Sequence, residues 1–387
     1  MNETTITSKK RIDWLDGIKG ISCLFIFFHH FCLQYFPAAY FGNSQPSRLN
    51  GFDTFLSTSP LGIIVNGNFF VHLFIFISGY VITYQILSMK PEKIGFFLFK
   101  RYLKLLFPLA IYSLIIFITR FFSFFGEENF IKTVIKEIYK TADSLLFGIL
   151  FKGDIYLGGH LWMMHCIFLG GILVALITSL YWITNNKKII FIPVSFGILL
   201  LCFYSPLPRK IHFATVFFGS ALCMLNSFYS LKIRKWILWI LAFLSLLLGA
   251  FPSGLAPTNF YRFLLIPFDS ANTASYYMWH CISVIILLFC FTFLDTIQKI
   301  FENKLFLFLA KISLWVFLLH GIILSLTNPL FNYLQKSILG YSISALCIFV
   351  IDMIILIISS WSFTQFITPL GNKLINSLIS NLLPAKE

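Results

Sequence analysis

Arg11-Ile12-Asp13-Trp14-Leu15-Asp16-Gly17-Ile18-Lys19-Gly20 runs straight into Ile21-Ser22-Cys23-Leu24-Phe25-Ile26-Phe27-Phe28-His29-His30-Phe31. A charged threshold thus leads into an apolar helix that holds two histidines. Lys19 and His30 lie eleven positions apart. At about 100° per residue they return to the same helical face, within about 20°. Asp16, Lys19, Cys23 and His30 then form one stripe, while His29 points about 100° away. The helical rise sets His30 about 16 Å above Lys19, beyond the middle of a hydrocarbon core about 30 Å thick. An ionisable side chain at that depth is costly and marks a functional candidate. The plainer reading is a histidine hydrogen-bonded to a neighbouring helix.

The rest of the chain agrees with a membrane setting. Of 387 residues, 58% are hydrophobic and only 11% charged, against about 25% charged in soluble domains. Mean hydropathy is +0.85. We read an all-α polytopic membrane protein, one domain over 1–387 with a short tail at 1–12. Its expected spans are 18–36, 62–87, 102–124, 160–182, 188–205, 212–228, 236–251, 273–294, 305–327 and 342–364. Segment 127–152 alternates charged and apolar residues and reads as an amphipathic helix lying at an interface. Pro108 should bend the third span near its start. The first apolar run is too long for a signal peptide and lacks a small-residue cleavage site, so it reads as a retained helix.

The net charge of +14 does not call for nucleic acid. The basic residues sit at helix ends, the usual topogenic pattern, and no separate basic domain remains to hold a polynucleotide. With the N-terminus inside, 19 of the 29 Lys and Arg residues fall on the inner side, so both termini are expected in the cytoplasm. Under that topology all eight histidines lie at or beyond the midplane, opposite the basic cluster. The pattern suggests a polar chamber open to the outside with a cationic anchor inside, unless outer helix ends simply tolerate histidine. The eight cysteines show no CxxC or zinc-like spacing and read as small packing residues. No metal motif, GxSxG or P-loop occurs.

Several further constellations stand out. Lys100, Arg101 and Lys104 precede Pro108; Arg101 and Lys104 share a face. They suit phosphates, or serve as positive-inside anchors or lipid head-group contacts. Ser78, Gly79 and Tyr80 follow a Phe-rich run, where the small residues allow close helix approach. His160-Leu161-Trp162 opens the fourth span. Ser313 and His320 are seven apart on one face. Asp352 sits mid-span in the last helix and needs a partner or a proton; it could orient a histidine or pair with a cation.

Together these pieces resemble the acyltransferase-3 family of membrane-bound O-acyltransferases of surface sugars. The resemblance rests on Asp16-Gly17-Ile18-Lys19-Gly20 with Lys-x10-His ending at His30, on Ser78-Gly79-Tyr80, on Arg101-x-x-Lys104, on His160-Leu161-Trp162, and on Ser313 through His320. It spans nearly the whole chain. Two departures are visible: the family's Arg-x-x-Arg carries Lys in second place here, and Met163-Met164-His165-Cys166-Ile167 stands where many members place a Glu. The resemblance implies acyl-CoA, most often acetyl-CoA, as a cytoplasmic co-substrate with no bound cofactor. It implies a hydroxyl of a cell-surface or lipid-linked carbohydrate as acceptor, and the cytoplasmic (inner) membrane as location. It maps the catalytic pair onto His30 and Lys19 and the family's Arg-x-x-Arg onto Arg101 and Lys104; with the neighbouring Lys100 these are the expected CoA-binding residues. Ser78, Tyr80, His160, Trp162, Ser313, His320 and Asp352 are the supporting candidates. Imidazole is the side chain best suited to take a hydroxyl proton near neutral pH, or to carry the acyl group transiently. Succinyl transfer, or a proton-coupled glycan or lipid transporter, are the alternatives.

Overall fold

The structure is a computed structural model that describes residues 12–122, 129–202, 209–253, 260–265, 273–336 and 339–382. The tail with Lys9, Lys10 and Arg11, and also Lys386, lie outside the described residues. The described chain is helical. The elements are α1 (Asp13–Tyr35), α2 (Ala38–Phe41), α3 (Phe52–Thr58), α4 (Gly67–Leu87), α5 (Ile94–Phe121), α6 (Phe130–Asp143), α7 (Trp162–Thr184) and α8 (Phe191–Cys202). They continue with α9 (Lys210–Phe228), α10 (Lys235–Gly249), α11 (Thr273–Thr292), α12 (Asp295–Phe301), α13 (Lys304–Gln335), α14 (Gly340–Ser362) and α15 (Thr368–Leu382).

A helix lies at each of the ten expected spans, but eight are long and apolar enough to cross a membrane. The two exceptions are α8, with 12 residues, and α10, with 15. α10 reaches only about 22 Å at 1.5 Å per residue, short of a core about 30 Å thick, whereas α8 runs to the edge of the described stretch at residue 202. Each packs on a full-length neighbour, α8 on α9 and α10 on α11.

Two local expectations also change. The amphipathic segment divides into α6 and a π-helical stretch, Ser144–Lys152. On α6, Ile131, Ile135, Ile138 and Tyr139 are exposed along one face, as an interface-lying helix requires. Pro108 lies half-way along α5, not near its start, because the helix begins at Ile94, before the basic cluster.

The bundle centres on α1, α4, α9 and α13, which pack on one another in the pairs α1–α13, α4–α9 and α1–α4. Lipid tails are as apolar as leucine, so close packing and not hydrophobicity must hold such helices together. Gly79 and Gly219 show how α4 and α9 achieve it. A Cβ on Gly79 would strike the Val216 carbonyl, and one on Gly219 the Phe76 carbonyl. The two backbones touch without side chains between them. Ser220 accepts a hydrogen bond from the Thr83 hydroxyl at 2.7 Å one turn away. By contrast α5 is the least buried of the candidate spans.

Between α1 and α4 the chain forms a small cap of α2, α3 and two 3-10 turns, Gly42–Ser44 and Pro60–Val65. Asp53 knots it together. Its carboxylate accepts from the Ser47 hydroxyl, the Arg48 N–H at 2.7 Å and the Thr54 N–H at 3.1 Å. Burial pushes the Asp53 carboxyl up, but these donors together hold it below its ordinary value.

The glycine contact is testable. Gly79→Val or Gly219→Val should cost about 2 kcal/mol or more through overpacking, seen as a lower unfolding midpoint in detergent. Gly95→Ala, where a Cβ meets nothing within 4 Å, should leave the midpoint unchanged.

Candidate active site

The half of the bundle remote from Lys100, Arg101 and Lys104, which we label outer, contains a layer of imidazoles. His30 on α1 stacks on His320 of α13, ring centroids 5.0 Å apart. His320 in turn meets His160, in the turn before α7, at 4.5 Å. Three helix regions distant in sequence thus bring three imidazoles together. His320 is buried and donates from Nδ1 to the Val316 carbonyl of its own helix at 3.3 Å. That bond leaves Nε2 as the lone-pair nitrogen of the neutral ring.

The layer continues on the other side of α1. His29 donates from Nδ1 to the Val65 carbonyl at 2.8 Å and packs against Tyr40. The Tyr40 hydroxyl bonds to that of Tyr276 at 3.0 Å, which donates to Asn66 Oδ1 at 2.7 Å. Asn66 Nδ2 and His280 Nε2 converge on the Phe251 carbonyl at 2.9 and 3.0 Å. Asn68 Nδ2 donates to His280 Nδ1 at 2.7 Å, and Asn68 Oδ1 accepts from His212 Nε2 at 3.1 Å. His212 stacks on His72 at 4.4 Å. His72 donates from Nδ1 to the Thr215 hydroxyl at 2.7 Å, which passes its own proton to the Ile211 carbonyl at 2.9 Å. The remaining nitrogens, His72 Nε2 and His212 Nδ1, are buried without hydrogen-bond partners. Each such group costs about 1–3 kcal/mol.

Two cavities flank this layer, and one helix lines both. The inner cavity, ≈ 700 Å³, is walled by Lys90, Lys93, Lys100, Arg101 and Lys104, with Phe96 and Phe97 beside them. Arg101 reaches from it into the bundle and donates from Nη2 to the Ser78 hydroxyl at 3.2 Å. Its Nε is buried without a hydrogen-bond partner. Lys100 donates to Asn376 Oδ1 at 3.1 Å. The outer cavity, ≈ 340 Å³, lies between α5 and α13. Tyr112, Ile116, Thr119 and Arg120 form one bank, Gly321, Ile322, Ser325 and Leu326 the other, and the turn 157–160 its floor. His160 borders this cavity, half-buried, between small neighbours. A Cβ on Gly321 would approach its ring to 3.2 Å, and one on Gly158 would come within 2.6 Å of the Tyr112 hydroxyl. Along α5 the two cavities are separated by about 12 Å, from Lys104 to Tyr112.

The turn carrying His160 is held from outside. Tyr112 donates to the Leu157 carbonyl at 3.2 Å. Arg120 donates to Glu137 of α6 at 2.8 Å and to the Tyr156 carbonyl at 2.7 Å, with its guanidinium over the Tyr156 ring. The Tyr156 hydroxyl donates to the other Glu137 oxygen. Burial pushes the Glu137 carboxyl up, but Tyr156, Arg120 and Lys140 outweigh it and hold it below its ordinary 4.5. Burial and the bond to Glu137 push the Tyr156 phenol up to about 12.

The structure thus joins His30, His160 and His320 outside, and Ser78 with Arg101, Lys100 and Lys104 inside. Other candidates stand apart. Lys19 pairs with Asp16 at 3.7 Å and lies over the Phe74 ring, far below His30. Tyr80 accepts from Asn226 at 3.3 Å between α4 and α9. Trp162 packs on His212 at 4.5 Å, with Arg209 over its ring at 5.0 Å. Ser313 is tied to the Ala310 carbonyl at 2.9 Å, about 10 Å below His320. Asp352 is fully buried beside Tyr35 and Thr327, and among the described residues no histidine or cation is paired with it. The Thr327 hydroxyl turns to the Ile323 and Leu324 carbonyls instead, leaving neither Asp352 oxygen with a hydrogen bond of sound geometry. The sequence reading did not single out Tyr112, Arg120, Asn66 or Asn68. The two asparagines carried a signal, as polar residues beside an apolar run. Among the described residues, no group of three or more His, Cys, Asp or Glu is placed to hold a metal ion.

A family model described as an acyltransferase domain, that of acyltransferase-3, matches residues 12–364. No curated protein and no solved structure matches the chain.

The clasp on the His160 turn has a pH signature. A carboxyl held low in the folded state stabilises at neutral pH, and that stability is lost as pH falls through the native value. The unfolding midpoint should therefore fall below about pH 5. Glu137→Gln should have a lower midpoint at neutral pH and a shallower fall below it. An unchanged acid limb in the variant would place the dependence elsewhere.

Proposed function

Because the chain belongs to the acyltransferase-3 family, a family of membrane acyltransferases, we propose that it carries an acyl group, acetyl, from acyl-CoA at the inner face to a hydroxyl of a carbohydrate at the outer face. The observation that carries this reading is the pair of cavities on α5, a basic one and one open to an imidazole cluster. Acyl-CoA is a multiply charged phosphate compound. Arg101 offers a planar fork, and Lys90, Lys93, Lys100 and Lys104 offer point charges that hold it. Aromatic Phe96 and Phe97 supply an apolar wall for the base. The thioester arm passes Arg101 and Ser78 into the bundle toward the imidazoles.

The acceptor hydroxyl meets the thioester at His30, His160 and His320. His30 takes the hydroxyl proton as the oxygen attacks the thioester carbonyl carbon. The carbon–sulfur bond breaks, and the proton passes on to the leaving thiolate. An O-acyl ester and CoA thiol result, with no net proton gained or lost. His320, fixed by its bond to Val316, supports the His30 ring and supplies a second lone pair within reach. Burial strengthens the field of every dipole in such a site. Lys19 sits too far below to touch the reacting atoms, and its place is on the path of the anionic donor. The basic inner ends put the donor side in the cytoplasm, with the protein in the cytoplasmic membrane.

Purified protein in vesicles should release free CoA from acetyl-CoA when a carbohydrate acceptor is supplied outside. His30→Ala should lower kcat by about 10²–10⁴-fold without loss of folded protein, and His29→Ala should have a much smaller effect. Arg101→Ala should raise KM for acetyl-CoA by about tenfold or more while the outer site still binds acceptor. Full activity in His30→Ala would overturn the assignment of the base.

A further inference from the structure

Of the three clustered imidazoles, His160 borders the outer cavity, while His30 and His320 are not among its walls. A molecule in the cavity therefore reaches the cluster past the His160 ring. Neighbouring rings close that ring in. Tyr112 meets it edge-on at 5.9 Å, Phe317 does so at 5.2 Å, and His320 lies at 4.5 Å. Its Nε2 is buried without a hydrogen-bond partner, so that nitrogen is sealed from the cavity. The Nδ1–Cε1 edge, by contrast, faces two glycines. A Cβ on Gly321 would come within 3.3 Å of Nδ1 and 3.2 Å of Cε1, and one on Gly158 within 3.4 and 3.1 Å. Both glycines line the cavity. Neither has left-handed backbone, so each supplies space and not conformational freedom. Gly159 lines the same cavity, yet a Cβ there meets nothing within 4 Å.

We propose that Gly158 and Gly321 form the aperture between the outer cavity and the imidazoles, and so decide which hydroxyls are acylated. Carbon atoms pack best at about 3.5–4.0 Å. The methyl group of an alanine at either position would press on the His160 ring from the cavity side and fill the gap. A sugar hydroxyl brings its carbon and that carbon's neighbours into the gap with it. Water brings none of these and needs less room. The two glycines thus set the balance between transfer and hydrolysis. In hydrolysis water attacks the same thioester carbon, the carbon–sulfur bond breaks, and a free carboxylic acid and CoA thiol result. The selectivity rests on the acyl-transfer reading, but the aperture itself is testable without turnover.

The first test treats the full chain in phosphatidylcholine vesicles with diethyl pyrocarbonate. Its carbethoxyl group bonds to a reachable imidazole nitrogen, releasing ethanol and carbon dioxide. Peptide mass spectrometry reads the label at each histidine. His160 should be labelled, and Gly158→Ala and Gly321→Ala should slow that labelling by about tenfold or more. Gly159→Ala should label as the native protein does. An unlabelled native His160, native rates in both Gly158→Ala and Gly321→Ala, or equal slowing in Gly159→Ala would overturn the aperture. The second test supplies acetyl-CoA with a panel of mono- and disaccharides and measures the ratio of sugar acetate to free acetate. Both products come from the same active molecules, so loss of folded protein does not move the ratio. Gly158→Ala and Gly321→Ala should lower it by about tenfold or more. A native ratio in both variants would sink the selectivity alone and leave the acyl-transfer reading standing. Free acetate without sugar acetate, or neither product, from the native protein would count against both.

Discussion

An imidazole nitrogen inside a bilayer has no water to turn to. Each must find a partner within the protein or stand at the cost of an orphan. This constraint explains much of the outer half of the bundle. The asparagines at the head of α4, the tyrosines Tyr40 and Tyr276, and the bared carbonyls at Val65 and Phe251 are the partners. They are contributed by the cap and by helix ends, where backbone groups are not already used by a helical ladder. The cap between α1 and α4 is therefore part of the site's solvation as well as its roof.

Against that background the unsatisfied atoms are informative. His72 Nε2, His212 Nδ1, His160 Nε2 and Arg101 Nε are buried without partners. They fall on the two polar levels, three imidazoles outside and one guanidinium inside. Asp352 is different, because its neighbours Tyr35 and Thr327 belong to the α1–α13–α14 packing and not to the imidazole layer. A mid-membrane acid attracts a functional reading on depth alone, but here its surroundings set it apart from the cluster.

The sequence made the membrane-embedded helical class plain, and with it the gathering of histidines away from the Lys100, Arg101 and Lys104 cluster, since both follow from hydropathy and the distribution of Lys and Arg. The same-face spacing of Lys19 and His30 was legible as well. What remained hidden depends on rotation between helices. His30 meets His320 and His160 because α1, α13 and the turn before α7 converge, and no spacing along one helix encodes that. Arg120 read as an ordinary outer charge. Its bonds to Glu137 and to the Tyr156 carbonyl join three segments whose proximity depends on how α6 folds back. The basic cluster at Lys100, Arg101 and Lys104 looked like the flank of a span beginning at residue 102. The helix instead starts at Ile94, so the cluster lies within it and faces a cavity.

The light packing of α5 has a consequence for how the protein behaves in different membranes. This helix touches both cavities, yet most of its surface, including Phe96, Phe99, Leu114 and Ile118, looks outward. A helix held so little by its neighbours takes much of its tilt from the match between its apolar length and the hydrocarbon thickness. Pro108, one turn beyond the basic cluster and twelve residues before Arg120, removes a helical hydrogen bond where bending is easiest. The gap between the two polar levels is thus set jointly by the protein and by the lipids around it. Acyl-chain length in the surrounding membrane becomes a variable of the transfer geometry itself.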